Sequence, residues 1–444
     1  MSMVVAKIDW RQLYNFASRQ ALLGFCFDGI ERLTKEFSEE LKQNSMERDL
    51  LMTWMGAAQQ IHRQNMKVNA VAGKLYSKFR EDGLRCCILK GQGNALMYPN
   101  AYSRNPGDID VWVNASREQI TEYAKKHFEI GDDIRFHHLE TSFDGVPVEL
   151  HFFPGIMNNP IYNARLQKWF RRNVDLQCSH IVGLPDGAGD IAIPTSAFNV
   201  IYQLTHLYHH FFDEGIGMRQ IIDYYYVVCD FYKVYQNSSK ITPSLFTIKE
   251  GSTSHPDPLT LRGEGGNRPT RCSEPLRSKD GGPSKVSPNC AGWDRRGVSG
   301  DTGSVSCSSA SGSSITSVSS ASTTDSSAST ALDVVQRELK YLGLWKFAGA
   351  VMYVLKEVLG LSEDKMIVPV DEKRGRLLLA EILNGGNFGK HFSKYGHFAQ
   401  QGMAKKYFLK IWRNMHFVRY YPAEAQSEPI FRTWHFFWRM KNKK

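Results

Sequence analysis

The sequence predicts an α+β fold, in which a small mixed β-sheet is embedded in helices and is joined to a helical C-terminal domain. Three observations support this prediction. Apolar side chains recur at helical spacing over residues 1–82, short apolar runs alternate with glycine turns over residues 83–195, and helical spacing returns after that. Apolar residues make up 42% of the 444 positions, which is enough for a hydrophobic core and excludes a chain that is disordered throughout.

Residues 1–82 are predicted to form an N-terminal helical segment. Asp9 is placed to cap a first helix that starts at Trp10 and ends near Gly24, because its carboxylate can accept from the free amides of the first turn. Ser45 is placed to cap a longer helix whose apolar residues cluster on one face. We therefore expect a set of packed helices before the sheet.

Residues 83–195 are predicted to form an α/β core. The run LRCCIL is apolar apart from its arginine and is flanked by glycines, as is typical of a strand buried on both faces. A glycine-bearing turn with a short helix follows, and residues 108–113, DIDVWV, form a second strand. Two further strands flank Asp144-Gly145, a dipeptide that favours a tight hairpin because both positions tolerate positive φ. Together these elements predict a small mixed sheet.

Residues 196–236 and 332–444 are predicted to be the two parts of one helical domain, because apolar residues recur at helical spacing in both. Between them, residues 237–331 are dominated by Ser, Gly, Pro and Thr and lack any apolar period. Such a composition cannot bury enough surface to offset the entropy of ordering the chain. We therefore predict a disordered insertion that interrupts the helical domain.

The C-terminal tail is both basic and aromatic. Residues 404–444 hold ten Lys and Arg against two Glu, so they supply most of the net charge of +10. Aromatic side chains at this density favour packing against the rest of the protein, with the lysines left in solvent. Contact with nucleic acid is the less favoured alternative, because the charge elsewhere is nearly balanced.

Cysteine usage and hydropathy point to the cytoplasm. The eight cysteines include no Cys-x-x-Cys pair, which argues against a disulfide framework and against a structural zinc site. The first residues, MSMVVAKIDW, lack a basic head followed by a long apolar core, and no stretch has the length of uninterrupted apolar residues that a bilayer requires. We expect a cytoplasmic protein with no membrane partner.

The segment GDIDVWV places two carboxylates on one face of a strand. Residues two apart in a strand point the same way, so Asp108 and Asp110 project side by side. Clustered carboxylates repel one another unless cations intervene, and hard oxygen donors favour Mg²⁺ or Mn²⁺. Glu149, in the middle of the strand VPVELHF, is predicted to be the third metal ligand, with pairing to Arg135 across the hairpin as the alternative. These three acids are the predicted catalytic and metal-binding residues.

A glycine turn lies between the first strand and its helix. Exposed amides at a helix start, with glycine allowing close approach, form a seat for phosphate, so Lys90, Gly91 and Gly93 are predicted to bind a nucleotide. A structural salt bridge is the alternative for Lys90. Arg104 is predicted either to contact phosphate or to lie on a surface loop.

The predicted helix after residue 196 carries three histidines. His206, His209 and His210 are expected to line the nucleotide cleft, and metal ligation is the less favoured alternative because the further ligands are not evident. Arg219 and Asp223 stand one helical turn apart, where they can pair with each other or bind substrate.

At these residues the sequence resembles the polymerase-β-like nucleotidyltransferase superfamily. The pattern LKG, GDIDVWV and VELHF, followed by the His-rich helix and GMRQIID, is similar more narrowly to a group of uncharacterised bacterial nucleotidyltransferases. The resemblance implies metal carboxylates at Asp108, Asp110 and Glu149 and the phosphate turn at Gly91 and Gly93. The superfamily usually has Gly-Gly or Gly-Ser after the first strand, whereas this chain has Lys-Gly-Gln-Gly.

The resemblance implies transfer of a nucleoside monophosphate from an NTP, such as ATP, to a hydroxyl acceptor with release of pyrophosphate. A small molecule or sugar is the first expectation for the acceptor, a protein side chain the second and RNA the third. An inactive nucleotide-binding or regulatory protein of the same fold is the alternative. A scaffold that acts through its insertion and tail is a third interpretation.

Overall fold

The structure is a computed structural model that describes residues 7–236, 330–390 and 403–442. Within them, helices surround a five-stranded mixed sheet, and two short strands form a second, separate sheet. This confirms the predicted α+β class. The described residues belong to one compact unit. The predicted insertion over 237–331 lies outside the described residues, apart from its last two positions.

From residue 7 onwards, where the structure describes the chain, four helices make up the N-terminal segment. They are α1 (Trp10–Arg19), α2 (Leu23–Glu36), α3 (Ser38–Gln43) and α4 (Arg48–Glu81). The Asp9 carboxylate accepts from the Gln12 amide at 2.9 Å, which confirms the predicted cap. The first helix ends earlier than predicted, because Ala21 adopts a φ of +56° that no helix can contain. The predicted cap at Ser45 was wrong, since the long helix begins at Arg48.

The five-stranded sheet follows. Its strands are β1 (Cys86–Leu89), β2 (Ile109–Val113), β3 (Glu129–Ile134), β4 (His138–Phe143) and β5 (Val146–His151), in the spatial order β1-β2-β5-β4-β3. The β2–β5 pair is parallel and the other neighbours are antiparallel, so the sheet is mixed as predicted. The hairpin between β4 and β5 turns at Asp144 and Gly145, which both have positive φ. Helices α5 (Gly91–Ala95) and α6 (Arg117–His127) flank β2 in sequence.

Strand β2 separates its side chains between the two faces of the sheet. Ile109, Val111 and Val113 are buried in a core that also contains the apolar face of α4. Asp110 and Trp112 lie on the opposite face, where Trp112 belongs to the large helical core. Because successive side chains of the strand alternate between the two faces of the sheet, its apolar residues are buried and its acids point towards the helical domain.

The helical domain covers the acidic face of the sheet. Its helices are α7 (Pro160–Ser179), α8 (Ser196–Asp213), α9 (Met218–Gln236), α10 (Ala331–Tyr341), α11 (Trp345–Leu359) and α12 (Glu372–Gly385), and the short strands β6 (Ile181–Gly183) and β7 (Asp190–Ala192) lie between α7 and α8. A capping box between Thr330 and Asp333 starts α10 where the predicted insertion ends.

The last two helices, α13 (Met403–Met415) and α14 (Pro422–Asn442), carry the basic, aromatic tail. The Trp434 and Trp438 rings lie 5.0 and 5.6 Å from the Phe136 ring near the sheet, which agrees with the expectation that tail aromatics pack on the protein. Phe437 is 62% exposed, so that expectation does not hold for every aromatic residue of the tail. Across the parts of the chain that the structure describes, no helix combines the length and apolar character needed to cross a bilayer.

Candidate active site

A polar cleft of about 340 Å³ lies between the sheet and the helical domain. The glycine turn, the start of β2, the ends of β4 and β5, and helices α8 and α9 all contribute to its walls. The lining residues that carry charge or an imidazole include Lys90, Arg104, Asp108, Asp110, Arg135, His137, His138, Glu149, His151, His206, His209, His210, Asp213 and Arg219. Such a concentration of ionisable side chains in one concave site is typical of a catalytic or binding cleft.

Asp110 and Glu149 are direct neighbours in the parallel β2–β5 pair. The His151 Nε2 atom lies 2.9 Å from Asp110 Oδ1 and 3.3 Å from Glu149 Oε2, so the imidazole bridges the two carboxylates. The Lys90 ammonium lies 2.9 Å from the same Asp110 oxygen. Asp108 lines the cleft just before β2 begins. The structure therefore brings these three acids to one wall.

The charges of this wall shift one another's pKa values. The negative charge of Asp110 raises the pKa of Asp108 to about 6, with burial and Glu149 adding to the effect. Burial raises the pKa of Asp110, but Lys90 and His151 outweigh it and hold that pKa below its usual value. Burial likewise opposes ionisation of Glu149, while His151 and other cations lower its pKa overall. Burial lowers the pKa of His151, yet its two carboxylate partners raise it to about 9.

A second imidazole approaches Glu149 from the next strand. His138 Nδ1 lies 3.5 Å from Glu149 Oε2, and His138 Nε2 lies 3.8 Å from Glu140 Oε1. Arg135 pairs with Glu140 at 2.9 Å, so the predicted alternative of an Arg135–Glu149 pair is not what the hairpin forms. Among the described residues, His138, Glu149 and His151 form a group whose donor atoms all lie within 4.8 Å of one another.

The histidines of α8 line the cleft, as expected. His206 Nε2 lies 3.5 Å from the Lys90 ammonium, and the His209 and His210 rings are 5.7 Å apart. Burial lowers the pKa of all three imidazoles, which favours their neutral forms. They therefore add hydrogen-bonding capacity to the cleft without adding much positive charge near neutral pH.

Arg104 is held inside the protein. Its guanidinium forms two hydrogen bonds of 2.8 and 2.9 Å with the Asp223 carboxylate, and Tyr98 donates to the same carboxylate at 2.7 Å. The Arg104 side chain is 4% exposed, so the surface-loop alternative was wrong. Asp223 therefore pairs with Arg104, whereas Arg219 donates to the Asn105 carbonyl at 3.2 Å and lines the cleft.

The glycine turn only partly faces the cleft. Lys90 and Gly91 line it and adopt φ values of +51° and +37°, the first of which is uncommon for a residue with a side chain. Gly93 instead packs against Ile193, and a Cβ atom built on Gly93 would lie 3.0 Å from Ile193 Cγ2. Lys90 forms a salt bridge, which was the alternative to phosphate binding predicted from the sequence, and this salt bridge lies within the cleft.

Sequence reasoning missed His138 and Glu140. The sequence contained the information needed to find them. Counting residue pairs outward along the two strands from the Asp144-Gly145 turn places Glu140 opposite Glu149 and His138 opposite His151. Assigning the strand register from the turn would therefore have placed these four polar side chains next to one another on neighbouring strands.

The model of a family described as uncharacterised nucleotidyltransferases matches residues 6–235, just over half of the 444 residues. The chain belongs to this family, which supports a general role in nucleotidyl transfer. A crystal structure of an antigenic nucleotidyltransferase-like protein from Paracoccidioides brasiliensis is similar at 17% identity and a TM-score of 0.25, over 36% of this chain and 75% of that one. No curated protein matches the chain.

Proposed function

We propose that the protein is a metal-dependent nucleotidyltransferase that moves a nucleoside monophosphate from an NTP to a hydroxyl acceptor. The observation that carries the proposal is the pairing of Asp110 with Glu149 on adjacent parallel strands at the wall of a polar cleft, beside the Lys90-Gly91 turn. Acids from two strands next to a glycine turn are the parts that phosphoryl chemistry requires, namely a metal seat and a phosphate seat.

The donor set of the cleft fits a divalent cation. The charge of Asp110 raises the pKa of Asp108 because the two carboxylates repel one another, and an added cation would relieve this repulsion. Asp108, Asp110 and Glu149 are the proposed ligands, and Mg²⁺ or Mn²⁺ suits their oxygen donors. A bound divalent ion would polarise the phosphate and neutralise charge as pyrophosphate leaves.

The proposed nucleotide contacts come from two sides of the cleft. Lys90 and Gly91 line the turn beside the acids, and Arg219 lines the α9 side with its guanidinium next to the Phe388 ring at 5.6 Å. We propose that these residues contact phosphate. Arg104 and Gly93 are proposed to shape the site, because the Arg104 guanidinium is bound by Asp223 and Gly93 packs against Ile193.

In the proposed reaction, the acceptor oxygen bonds to the α-phosphorus of the NTP. The bond from that phosphorus to the bridging oxygen breaks, pyrophosphate leaves with that oxygen, and the hydroxyl proton passes to a base or to water. A small molecule or sugar is our first proposal for the acceptor and a protein side chain the second. ATP is the first NTP to be tried.

In the test, purified protein is incubated with α-³²P-labelled NTPs, Mg²⁺ or Mn²⁺ and a panel of hydroxyl acceptors, and the transfer of label to product is measured. Asp110→Asn is expected to abolish transfer, because it removes a carboxylate from the metal seat. Asp144→Asn is the matched control and should retain transfer, because Asp144 lies in the hairpin turn and asparagine tolerates its positive φ.

The inactive alternative predicts a different pattern of results. Nucleotide binding seen as a thermal shift, together with no turnover across the panel of acceptors, would favour a binding or regulatory protein. Turnover that survives Asp110→Asn would contradict the proposed site.

A further inference from the structure

Three donor atoms converge at the end of the β4–β5 hairpin. His138 Nδ1 lies 3.5 Å and His151 Nε2 lies 3.3 Å from the same oxygen, Glu149 Oε2. All three atoms lie within 4.8 Å of one another. Both imidazoles are buried, with side chains that are 3% exposed, whereas Glu149 is partly exposed to the cleft. The group, which we call the His138–Glu149–His151 site, is therefore enclosed on the protein side and open on the cleft side.

The orientation of His151 directs its Nε2 atom at the carboxylates. His151 Nδ1 lies 3.3 Å from the Phe153 carbonyl, which can only accept, so that nitrogen carries the hydrogen. In the neutral ring Nε2 then has a lone pair, and it points at oxygens of Asp110 and Glu149 that are also electron-rich. A proton or a metal ion must lie between these atoms for the contact to be favourable.

His138 repeats this arrangement from the neighbouring strand. Neither of its ring nitrogens makes a hydrogen bond, although the side chain is almost fully buried. Its Nε2 faces Glu140, which is itself held by Arg135, and its Nδ1 faces Glu149. A carboxylate behind an imidazole is the usual support for a metal-binding histidine, because it fixes the ring and raises its basicity.

We propose that His138, Glu149 and His151 bind a transition metal ion of the Zn²⁺ type. Two imidazoles and one carboxylate form the protein donor set of several catalytic zinc sites, in which a fourth position is left for water or substrate. Donors about 2.0–2.1 Å from a tetrahedral ion are about 3.3 Å apart, close to the separations from Glu149 Oε2. Imidazole donors favour Zn²⁺ over Mg²⁺, so this ion is distinct from the Mg²⁺ or Mn²⁺ proposed at Asp108 and Asp110, and the Glu149 carboxylate would be shared by the two ions.

This inference goes beyond nucleotidyl transfer and does not depend on it. Metal binding can be measured without NTP, so a failure of the zinc site and a failure of the proposed enzymatic activity give separate results. Glu149 is already a predicted metal ligand from the sequence, whereas His138 is a new ligand, and the sequence suggested zinc binding only through cysteines or the α8 histidines.

The experiment titrates metal-stripped full-length protein with Zn²⁺ in a competition assay with a chromophoric chelator, with Mn²⁺ and Mg²⁺ as parallel probes. We expect one Zn²⁺ per chain that millimolar Mg²⁺ does not displace. His138→Gln is expected to weaken Zn²⁺ binding by at least about 100-fold, since loss of an outer partner alone typically costs 10–100-fold. His209→Gln is the matched control, a buried cleft histidine outside the site, and should leave the affinity unchanged.

Equal losses in both variants, or binding that Mg²⁺ displaces, would overturn the proposal. Circular dichroism of the stripped variants checks that each is folded. If His138→Gln does not fold, anomalous diffraction from wild-type crystals soaked in Zn²⁺ decides the matter. A peak among His138, Glu149 and His151 supports the site, and its absence there overturns it.

Discussion

Two charged clusters line the same cleft, and they differ in how their charges are matched. In the arginine cluster, formed by Tyr98, Arg104 and Asp223, one cation meets one anion through two hydrogen bonds, and a tyrosine donates a third. In the acidic cluster, the three carboxylates of Asp108, Asp110 and Glu149 share only two cations, Lys90 and His151.

This difference suggests that the arginine cluster contributes to stability and the acidic cluster to function. A buried ion pair with its hydrogen bonds satisfied links the connection before β2 to helix α9, and breaking it would leave a buried charge uncompensated. Acids that repel one another instead raise the free energy of the folded state. Proteins tolerate such repulsion where a ligand relieves it. An Asp→Asn change should therefore lower the free energy of unfolding in the arginine cluster but should not lower it in the acidic cluster.

The largest expected effect is on activity. Asp108→Asn should lower nucleotidyl transfer by at least about 100-fold, because a metal ligand supplies several kcal/mol of transition-state stabilisation. The free energy of unfolding at pH 8 should not fall, because the change removes a carboxylate whose pKa Asp110 raises. Initial rates with α-labelled NTP and urea unfolding of the same preparations measure both quantities. A variant that loses stability along with activity would contradict the comparison.

The second prediction concerns the arginine cluster. Asp223→Asn should lower the free energy of unfolding by about 3–5 kcal/mol, because it leaves the buried Arg104 without its anion. Urea unfolding followed by tryptophan fluorescence measures the loss. A change below about 1 kcal/mol would show that this cluster does not stabilise the fold.

A third prediction uses Glu424, a buried carboxylate at the start of α14 that accepts from the Asn158 and Asn159 amides. Burial raises its pKa from 4.5 to about 7 in the folded protein. The folded state then binds more protons than the unfolded state between these values, so Glu424 contributes less stability as pH rises from about 4.5 to about 7.

The measurement is the difference in unfolding free energy between wild type and Glu424→Gln at pH 5 and pH 8. Because glutamine does not titrate, we expect the wild type to lose roughly 2.5 kcal/mol relative to the variant across this interval. A difference that is constant with pH would show that the two amide hydrogen bonds compensate for burial.

The smallest effect is expected at an exposed pair. Asp175 accepts from Arg85 at 2.6 Å, but the two side chains are 75% and 52% exposed. Asp175→Asn should change the free energy of unfolding by less than about 1 kcal/mol, since solvent screens such pairs. A loss as large as that from Asp223→Asn would mean that burial does not explain why a buried ion pair stabilises the fold more than this exposed pair.

Several elements could be predicted from sequence because the determining pattern is local. The hairpin at Asp144-Gly145, the cap at Asp9 and the strand that carries Asp110 each depend on residues within a few positions. The end of α1 could not be predicted, because Ala21 adopts its positive φ in a packed connection between helices. The Arg104–Asp223 pair joins residues 119 positions apart, so no local pattern contains it.

The sequence by itself determined the fold class, the family and the acids that point to one face of a strand, since period and motif are properties of neighbouring residues. Only the tertiary structure decided which cation meets which anion. Lys90 and His151 reach Asp110, Asp223 takes Arg104, and His138 joins Glu149 from a separate strand. The physical reason is that ion pairs and metal sites depend on distances of a few ångströms, and chain folding sets those distances between residues far apart in sequence.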